Sequence, residues 1–450
     1  MVEPTTGTPP SVPAGNLTQV RDALQDILGL SDDDALAIDY MTTLAIANTW
    51  HKDPEPVWGY LVGPPGSAKT EILRTLDGWK YSKSVDELTE NALASGANDE
   101  NGEDHSLLPQ LNGKLFVIKD FTTVMGANDR VVEKVLSVLR AAYDGSYSKA
   151  SAKEGQRSYT CKFGMLAAVT PVIDQFLSST QKLGERFVLL RLQRNGTGSR
   201  RDRTRQLRHV RSRMENKAQW RASLRLTVQT ILSSIRETNR LIDPSTILVS
   251  ETYGERLDNI ADLVCRLRTT SFKGQTTEAE AGSRLVQQLT NLAKARAMCD
   301  QRSTVNEEDL NFVARIAEDT MPRPVHNLFA LLYKSGCANR HVTADQLSSW
   351  TSTPVDYIHE MLRQYHFLGI AEQQLSNNKR AWKLSSDTLE QAHIAALFPQ
   401  TTNSKTTSSV PSLHPSQTSH SPQSPALPAP AAARTAPVPP AGSVAVPNSG

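Results

Sequence analysis

The chain has 450 residues, more than one hydrophobic core sustains, so two or three domains are expected. Its 49 Lys and Arg against 47 Asp and Glu leave a net charge of +2, which singles out no partner and leaves electrostatic recognition to local clusters. Four scattered cysteines, Cys161, Cys265, Cys299 and Cys337, lack any C-x-x-C spacing and argue against a disulfide framework or a zinc site, and no apolar run is long enough to cross a bilayer.

Residues 1–15 are rich in Pro, Thr and Gly without a basic-then-apolar order, so a disordered N-terminus, no secretory signal and a cytoplasmic location are expected. Leu17, Val20, Leu24, Ile27 and Leu28 then recur at helical spacing. Ser31, followed by three aspartates, opens a second helix reaching about Trp50, with its acids at the positive end of the dipole. The run Val57-Trp58-Gly59-Tyr60-Leu61-Val62 suits a buried parallel strand, and residues 71–76 are helix-like.

Between them stands Gly63-Pro64-Pro65-Gly66-Ser67-Ala68-Lys69-Thr70. A strand that delivers a glycine-rich turn to a helix N-terminus stacks backbone N–H groups and a helix dipole against one anion. In that frame Lys69 reaches the β- and γ-phosphates of a nucleotide, and the Thr70 hydroxyl sits on Mg²⁺. The usual glycine before the lysine is Ala68 here.

Residues 85–96 lead into a polar, acidic insertion, 97–105, expected to be a mobile surface loop. Leu115-Phe116-Val117-Ile118 predicts a strand buried on both faces, with Asp120 emerging at its C-terminal end beside the loop. A helix over 128–143, with Val132, Val135, Leu136 and Leu139 on one side, precedes a polar, glycine-punctuated hairpin over 144–159. Residues 161–169 predict the next buried strand, ending at Thr170-Pro171. After Leu183-Gly184-Glu185-Arg186 comes a last core strand beginning at Phe187. Residues 194–225 are crowded with arginine, which suits electrostatic contact with nucleic acid and a solvated linker equally. Helical periodicity then runs through 224–241, 256–267 and 281–297.

Met321-Pro322-Arg323-Pro324 marks a boundary. Beyond it, three helix signals and two strand-like pieces, 369–374 and 381–384, follow the winged-helix order. Residues 399–450 are rich in Pro, Ser, Thr and Ala and are expected to be disordered.

The loop GPPGSAKT and the order of the motifs after it resemble the AAA+ ATPases, in particular the MoxR-like and MCM-like branch, over roughly residues 16–322. The fold class the resemblance implies is α/β. A core with a parallel sheet would span 16–205 and a helical lid 206–322, before a small winged-helix domain at 323–398 and the disordered tail. The resemblance makes the strand at 115 the Walker B strand, with Asp120 on the Mg²⁺ side as its single acid where the family normally has two. It makes Thr170 the sensor 1 residue, where the family usually has Asn, Arg186 an arginine finger serving a neighbouring subunit, and Arg284 the sensor 2 residue reaching the γ-phosphate from above. It sets the hairpin near a ring centre, where Lys149, Lys153 and Arg157, with Tyr147, would meet threaded nucleic acid. The expected function is that of an oligomeric, ring-forming ATPase. It would bind and hydrolyse ATP·Mg²⁺ between subunits to remodel or move along a macromolecule, with nucleic acid the first expectation. The alternatives are a MoxR-like chaperone acting on proteins and an ATP-gated DNA-binding switch with little turnover, the latter prompted by the single Walker B acid.

Overall fold

The computed structural model describes residues 15–50, 55–89, 91–94, 104–151, 155–175, 186–192, 204, 207–208, 211, 215–240, 242–269, 281–376 and 379–398. The expectations for residues 1–14, residues 97–103 of the 97–105 insertion, Lys153, residues 183–185, most of the arginine-rich run and the tail fall outside them. The described residues form an α/β architecture around a parallel sheet of five strands.

Two helices lead in. α1 (Leu17–Leu28) starts at an Asn16–Gln19 capping box and stops at Gly29, whose left-handed φ of 64° lets its N–H return to the Gln25 carbonyl. α2 (Asp32–Ala47) is capped by Ser31, carries Asp32, Asp33 and Asp34 in its first turn, and is almost wholly buried. β1 (Trp58–Val62) follows, then the loop and α3 (Lys69–Arg74). β2 (Ser82–Val85), α4 (Leu108–Leu111), β3 (Leu115–Ile118), α5 (Thr122–Met125) and α6 (Asp129–Tyr143) complete the first half. The hairpin β4 (Ser146–Ser151) and β5 (Gly155–Thr160) leads to β6 (Gly164–Val169), and β7 (Phe187–Arg191) ends the sheet.

The sheet order is β2-β3-β6-β1-β7, with every pair parallel. Trp58 lies level with Met165 and Phe187, and Val62 with Val169 and Arg191, so the C-terminal ends of the three central strands finish together. Because strand side chains alternate, the continuous apolar runs split between two cores. Leu61, Val117, Leu166, Ala168, Val188 and Leu190 face α1–α3, whereas Trp58, Tyr60, Phe116, Ile118, Met165 and Leu189 face α6. β2 carries no apolar run because it is an edge strand paired only to β3.

Gly59 fixes how closely α2 lies on the sheet. A Cβ there would stand 2.2 Å from the Tyr40 hydroxyl, which donates to the Val188 carbonyl at 2.7 Å. The opposite sheet edge is closed by side chains. The Leu189 N–H donates to Thr320 Oγ1 at 3.0 Å and the Arg191 N–H to Asp319 Oδ2 at 2.9 Å, which removes two open ladder donors.

The remaining described helices are α7 (Lys217–Thr238), α8 (Glu251–Arg268), α9 (Ser283–Cys299) and α10 (Glu307–Thr320), which contributes the edge-closing Asp319 and Thr320. α10 ends at the expected Met321-Pro322 break and α11 (Arg323–Cys337) begins beyond it, yet Met321 is fully buried and the core continues across. Then come β8 (Val342–Thr343), α12 (Ala344–Thr351), α13 (Val355–Phe367), β9 (Ala371–Ser376), β10 (Lys379–Leu384) and α14 (Ser386–Ile394). Among the described residues these strands form an antiparallel sheet in the order β8-β10-β9. The two-residue β8 and the closing α14 carry too few apolar residues to signal themselves in sequence. Among the described residues no helix is long and apolar enough to cross a membrane.

Candidate functional site

The C-terminal end of β1 feeds the loop. The Gly63 N–H donates to the Val169 carbonyl at 3.1 Å, which ties the loop's first residue to the end of β6. Gly66 and Ala68 both take left-handed backbone, φ 82° and φ 63°, so the chain curls and α3 starts directly at Lys69. Glycine adopts this conformation freely; for Ala68 it is strained.

Lys69 is folded back into its own loop. Its ammonium donates to the carbonyls of Gly63 at 2.5 Å and Pro64 at 2.9 Å, and to Ser67 Oγ at 3.3 Å. Burial lowers its pKa from the ordinary lysine value to about 8, opposed by the carboxylate of Asp120. Thr70 and Glu71 continue the helix along the floor of a cavity of about 450 Å³.

Asp120 and Thr170 line the same cavity, from the ends of β3 and β6. Asp120 is exposed, with Oδ1 accepting from the Thr122 N–H at 3.0 Å. Thr122 Oγ1 accepts from the Thr170 N–H at 3.1 Å, so one hydroxyl ties the two strand ends together. The Thr170 hydroxyl oxygen is buried and has no hydrogen-bond partner. An orphaned buried hydroxyl is costly and marks a place where a ligand atom would satisfy it. Lys119 also lines the cavity, but its ammonium is paired with Asp77 and Asp86, each at 3.0 Å, and Phe121 is fully buried beside Tyr60, so of residues 119–121 Asp120 supplies the carboxylate.

Gly63, Pro64, Pro65, Gly66, Ser67, Ala68, Lys69, Thr70, Asp120 and Thr170 thus gather at one end of the sheet. Arg186 and Arg284 do not join them. Arg186 directly precedes β7, whose first residue is level with Trp58 at the start of β1, and the loop lies a whole strand away, about 16 Å at strand rise. Its guanidinium pairs with Asp144 at 3.3 Å and stacks 5.4 Å from the Tyr143 ring. Burial lowers its pKa, Asp144 opposes that, and the positive Arg284 and Arg140 add to it. Arg284, expected over the γ-phosphate, instead lies 5.9 Å from the centroid of the same Tyr143 ring. The reason is local: α9 starts beside α6 and the foot of β7, where Gln288 donates to the Arg186 carbonyl at 2.7 Å.

The hairpin cations also point elsewhere than expected. Lys149 donates to the Ala94 carbonyl at 3.3 Å, and Arg157 pairs at 3.6 Å with Asp104, which also accepts from the Tyr159 hydroxyl at 2.7 Å. The opposite, exposed face pairs Ser146 with Thr160, Ser148 with Ser158 and Ala150 with Gln156, and is uncharged. Strand alternation puts the cations on the inner face. Lys153 lies outside the described residues.

Among the lining residues that escaped the sequence reading are Ile27 and Leu28 from the last turn of α1, Thr122 from α5, and Lys217 and Trp220 from the first turn of α7. The α1 pair carried a signal, but one indistinguishable from ordinary core spacing. Chemically, the arrangement offers a cationic cradle for a polyanion, one carboxylate, one unsatisfied hydroxyl and an apolar wall. No protein-family model matches the chain, and a search of curated proteins finds no match either.

Proposed function

We propose that the chain is an ATPase of the AAA+ type that binds ATP·Mg²⁺ at the 63–70 loop and works as an assembly of copies. The observation that carries this reading is the meeting of Lys69, Thr70, Asp120 and Thr170 around one cavity at the C-terminal ends of parallel strands. The strand order β2-β3-β6-β1-β7, with a hairpin inserted before β6, supports it.

The residues fit the ligand. Gly66 has open space where a Cβ would stand, the Thr170 hydroxyl is orphaned, and Lys69 supplies a buried cation. Thr70 and Asp120 would hold Mg²⁺, which neutralises charge on the phosphates; among the described residues no cluster of three or more His, Cys, Asp or Glu gathers, and Mg²⁺ with phosphate ligands needs none. Lys69 exchanges its loop carbonyls for phosphate oxygens, and Thr170 orients a γ-phosphate oxygen or the attacking water. Water then attacks the γ-phosphorus, the bond to the β–γ bridging oxygen breaks, ADP leaves with that electron pair, and the water's proton passes to an oxygen of the phosphate formed.

Arg186 and Arg284 stand too far from their own loop to serve it and close enough together to serve one anion. Their pairing fits a second copy whose bound phosphate faces them. The hairpin's uncharged outer face and the Glu360–Arg363 ion pair on the exposed side of α13, 2.8 Å, lend more support to a protein partner than to a phosphate backbone.

A second reading, an ATP-gated switch with little turnover, is favoured by Phe121, buried where a second acid would act on water. Phosphate release by the wild type and by Lys69→Ala, with and without DNA, decides. Turnover at least tenfold above Lys69→Ala supports the ATPase. Tight ATP binding with equal, negligible release supports the switch, and no binding by either protein ends both readings.

A further inference from the structure

A further cavity, of about 160 Å³, lies between α3 and α7 and shares only Glu71 and Trp220 with the lining of the loop cavity. Glu71 and Arg74 reach it from α3, Asp77 from the turn that ends that helix, and Arg221 and Arg225 from α7. Glu71 and Arg74 stand three apart, Arg221 and Arg225 four apart, so each pair shares one helix face.

The charges around this cavity do not balance. Arg221 holds the Glu71 carboxylate with two of its nitrogens, the Nε–Oε2 contact being 2.8 Å, and Lys119 Nζ lies 3.0 Å from Asp77 Oδ2. Both acids are therefore paired, whereas Arg74 and Arg225 have no carboxylate partner among the described residues. Two atoms of the lining residues are also buried without a hydrogen bond: Arg74 Nε, a donor, and Asp77 Oδ1, an acceptor. Each is costly as it stands. One turn carries both residues, the Asp77 N–H donating to the Arg74 carbonyl at 3.1 Å.

A ligand that satisfies the pair must accept from a guanidinium and also donate to a carboxylate, which can only accept. Monohydrogen phosphate does both. Sulfate, fully ionised near neutral pH, has no O–H and would meet the Asp77 oxygen charge on charge. Water would satisfy the two atoms and leave two guanidinium charges uncompensated.

We propose that this cavity binds one monohydrogen phosphate ion, held by Arg74 and Arg225 and distinguished from other oxyanions by Asp77. The planar guanidinium fork matches the edge of a tetrahedral oxyanion, and the ionic hydrogen bonds that result are the strong kind. The site is separate from the nucleotide cradle and stands whether or not the loop binds a nucleotide. It sits at the opposite end of α3 from Lys69, so the ion adjoins the helix that carries the loop's lysine.

The test is isothermal titration of the full chain, without nucleotide or Mg²⁺ and at fixed ionic strength, with sodium phosphate and with sodium sulfate. Binding of one phosphate is expected to survive Lys69→Ala, to weaken about tenfold in Arg74→Gln and to weaken about threefold in Arg225→Gln. Sulfate is expected to bind about tenfold more weakly than phosphate, and Asp77→Asn, whose amide can donate, to bring the two within about threefold. Arg225 is exposed, so its variant decides if Arg74→Gln folds poorly. Phosphate binding that is lost in Lys69→Ala and kept in both arginine variants belongs to the loop cavity and overturns the proposal. A wild type that binds no phosphate, or binds sulfate equally well, overturns it too.

Discussion

The Arg191 guanidinium and the Asp174 carboxylate meet side on, Nη2 2.7 Å from Oδ1 and Nη1 3.0 Å from Oδ2. Arg191 ends β7 and also donates from Nε to the Asp319 carbonyl at 2.7 Å and from Nη2 to the Met321 carbonyl at 3.2 Å. Asp174 lies four residues beyond Thr170 and accepts from the Arg323 N–H at 3.4 Å. One ion pair therefore joins the segment behind the cavity to the junction of α10 and α11.

The Arg191 side chain is 3% exposed and that of Asp174 16%, so loss of either partner is unequal. Asp174→Ala leaves a guanidinium buried without its carboxylate and is expected to destabilise by about 3 kcal/mol. Arg191→Met leaves the more accessible carboxylate and costs less. Urea denaturation of the two variants checks the order.

Ala68 holds φ 63° and ψ 3° with a Cβ that this region disfavours. Ala68→Gly is expected to stabilise the fold by about 1 kcal/mol, the relieved strain exceeding the entropy that glycine adds to the unfolded chain. Denaturant midpoints at equal slope measure it. A destabilised variant would mean that the methyl's packing outweighs the strain.

Lys69 has a folded pKa of about 8, below its unfolded value near 10.5. Between these limits the unfolded chain binds more protons than the folded one, so this residue's contribution to stability rises with pH from about 8 to about 10.5. Its destabilisation is complete below that window. The difference in unfolding free energy between wild type and Lys69→Met, followed from pH 7 to 10.5, is expected to show that slope. Under the proposed function ATP affinity runs the other way, weakening as the ammonium is lost above about pH 8, and Lys69→Arg removes the dependence.

If Arg186 acts on a neighbour's phosphate, Lys69→Ala and Arg186→Ala are each inactive alone. Mixed in equal amounts they recover part of the turnover, since some interfaces then pair an intact loop with an intact arginine. No recovery in assemblies shown by mass to be mixed would place Arg186 in a structural role.

The cavity's cradle was legible because its residues are consecutive or end predicted strands. Lys69 and Thr70 follow the glycine turn, and Asp120 and Thr170 each terminate an apolar run. Arg284 was not legible, because the angle at which α9 docks depends on contacts such as Gln288 with the Arg186 carbonyl, and helical periodicity carries no such information. Trp220 was missed for a related reason: it opens α7, far in sequence from the loop, and tertiary contacts such as the Arg221–Glu71 pair and Gln229 with the Thr75 and Asp77 carbonyls bring it there. The inward turn of Lys149 and Arg157 was readable in principle from strand alternation, but which hairpin face met the body was not.

The close approach at Gly59 reaches further than its own strand. Tyr40 can touch the Val188 carbonyl only because position 59 has no side chain, and α2, seated by that contact, carries α1 and with it Ile27 and Leu28. The breadth of the cavity beside the loop is accordingly decided by a residue that does not line it. An alanine at 59 would be felt first as a wider slot between loop and wall, well before the sheet itself gave way.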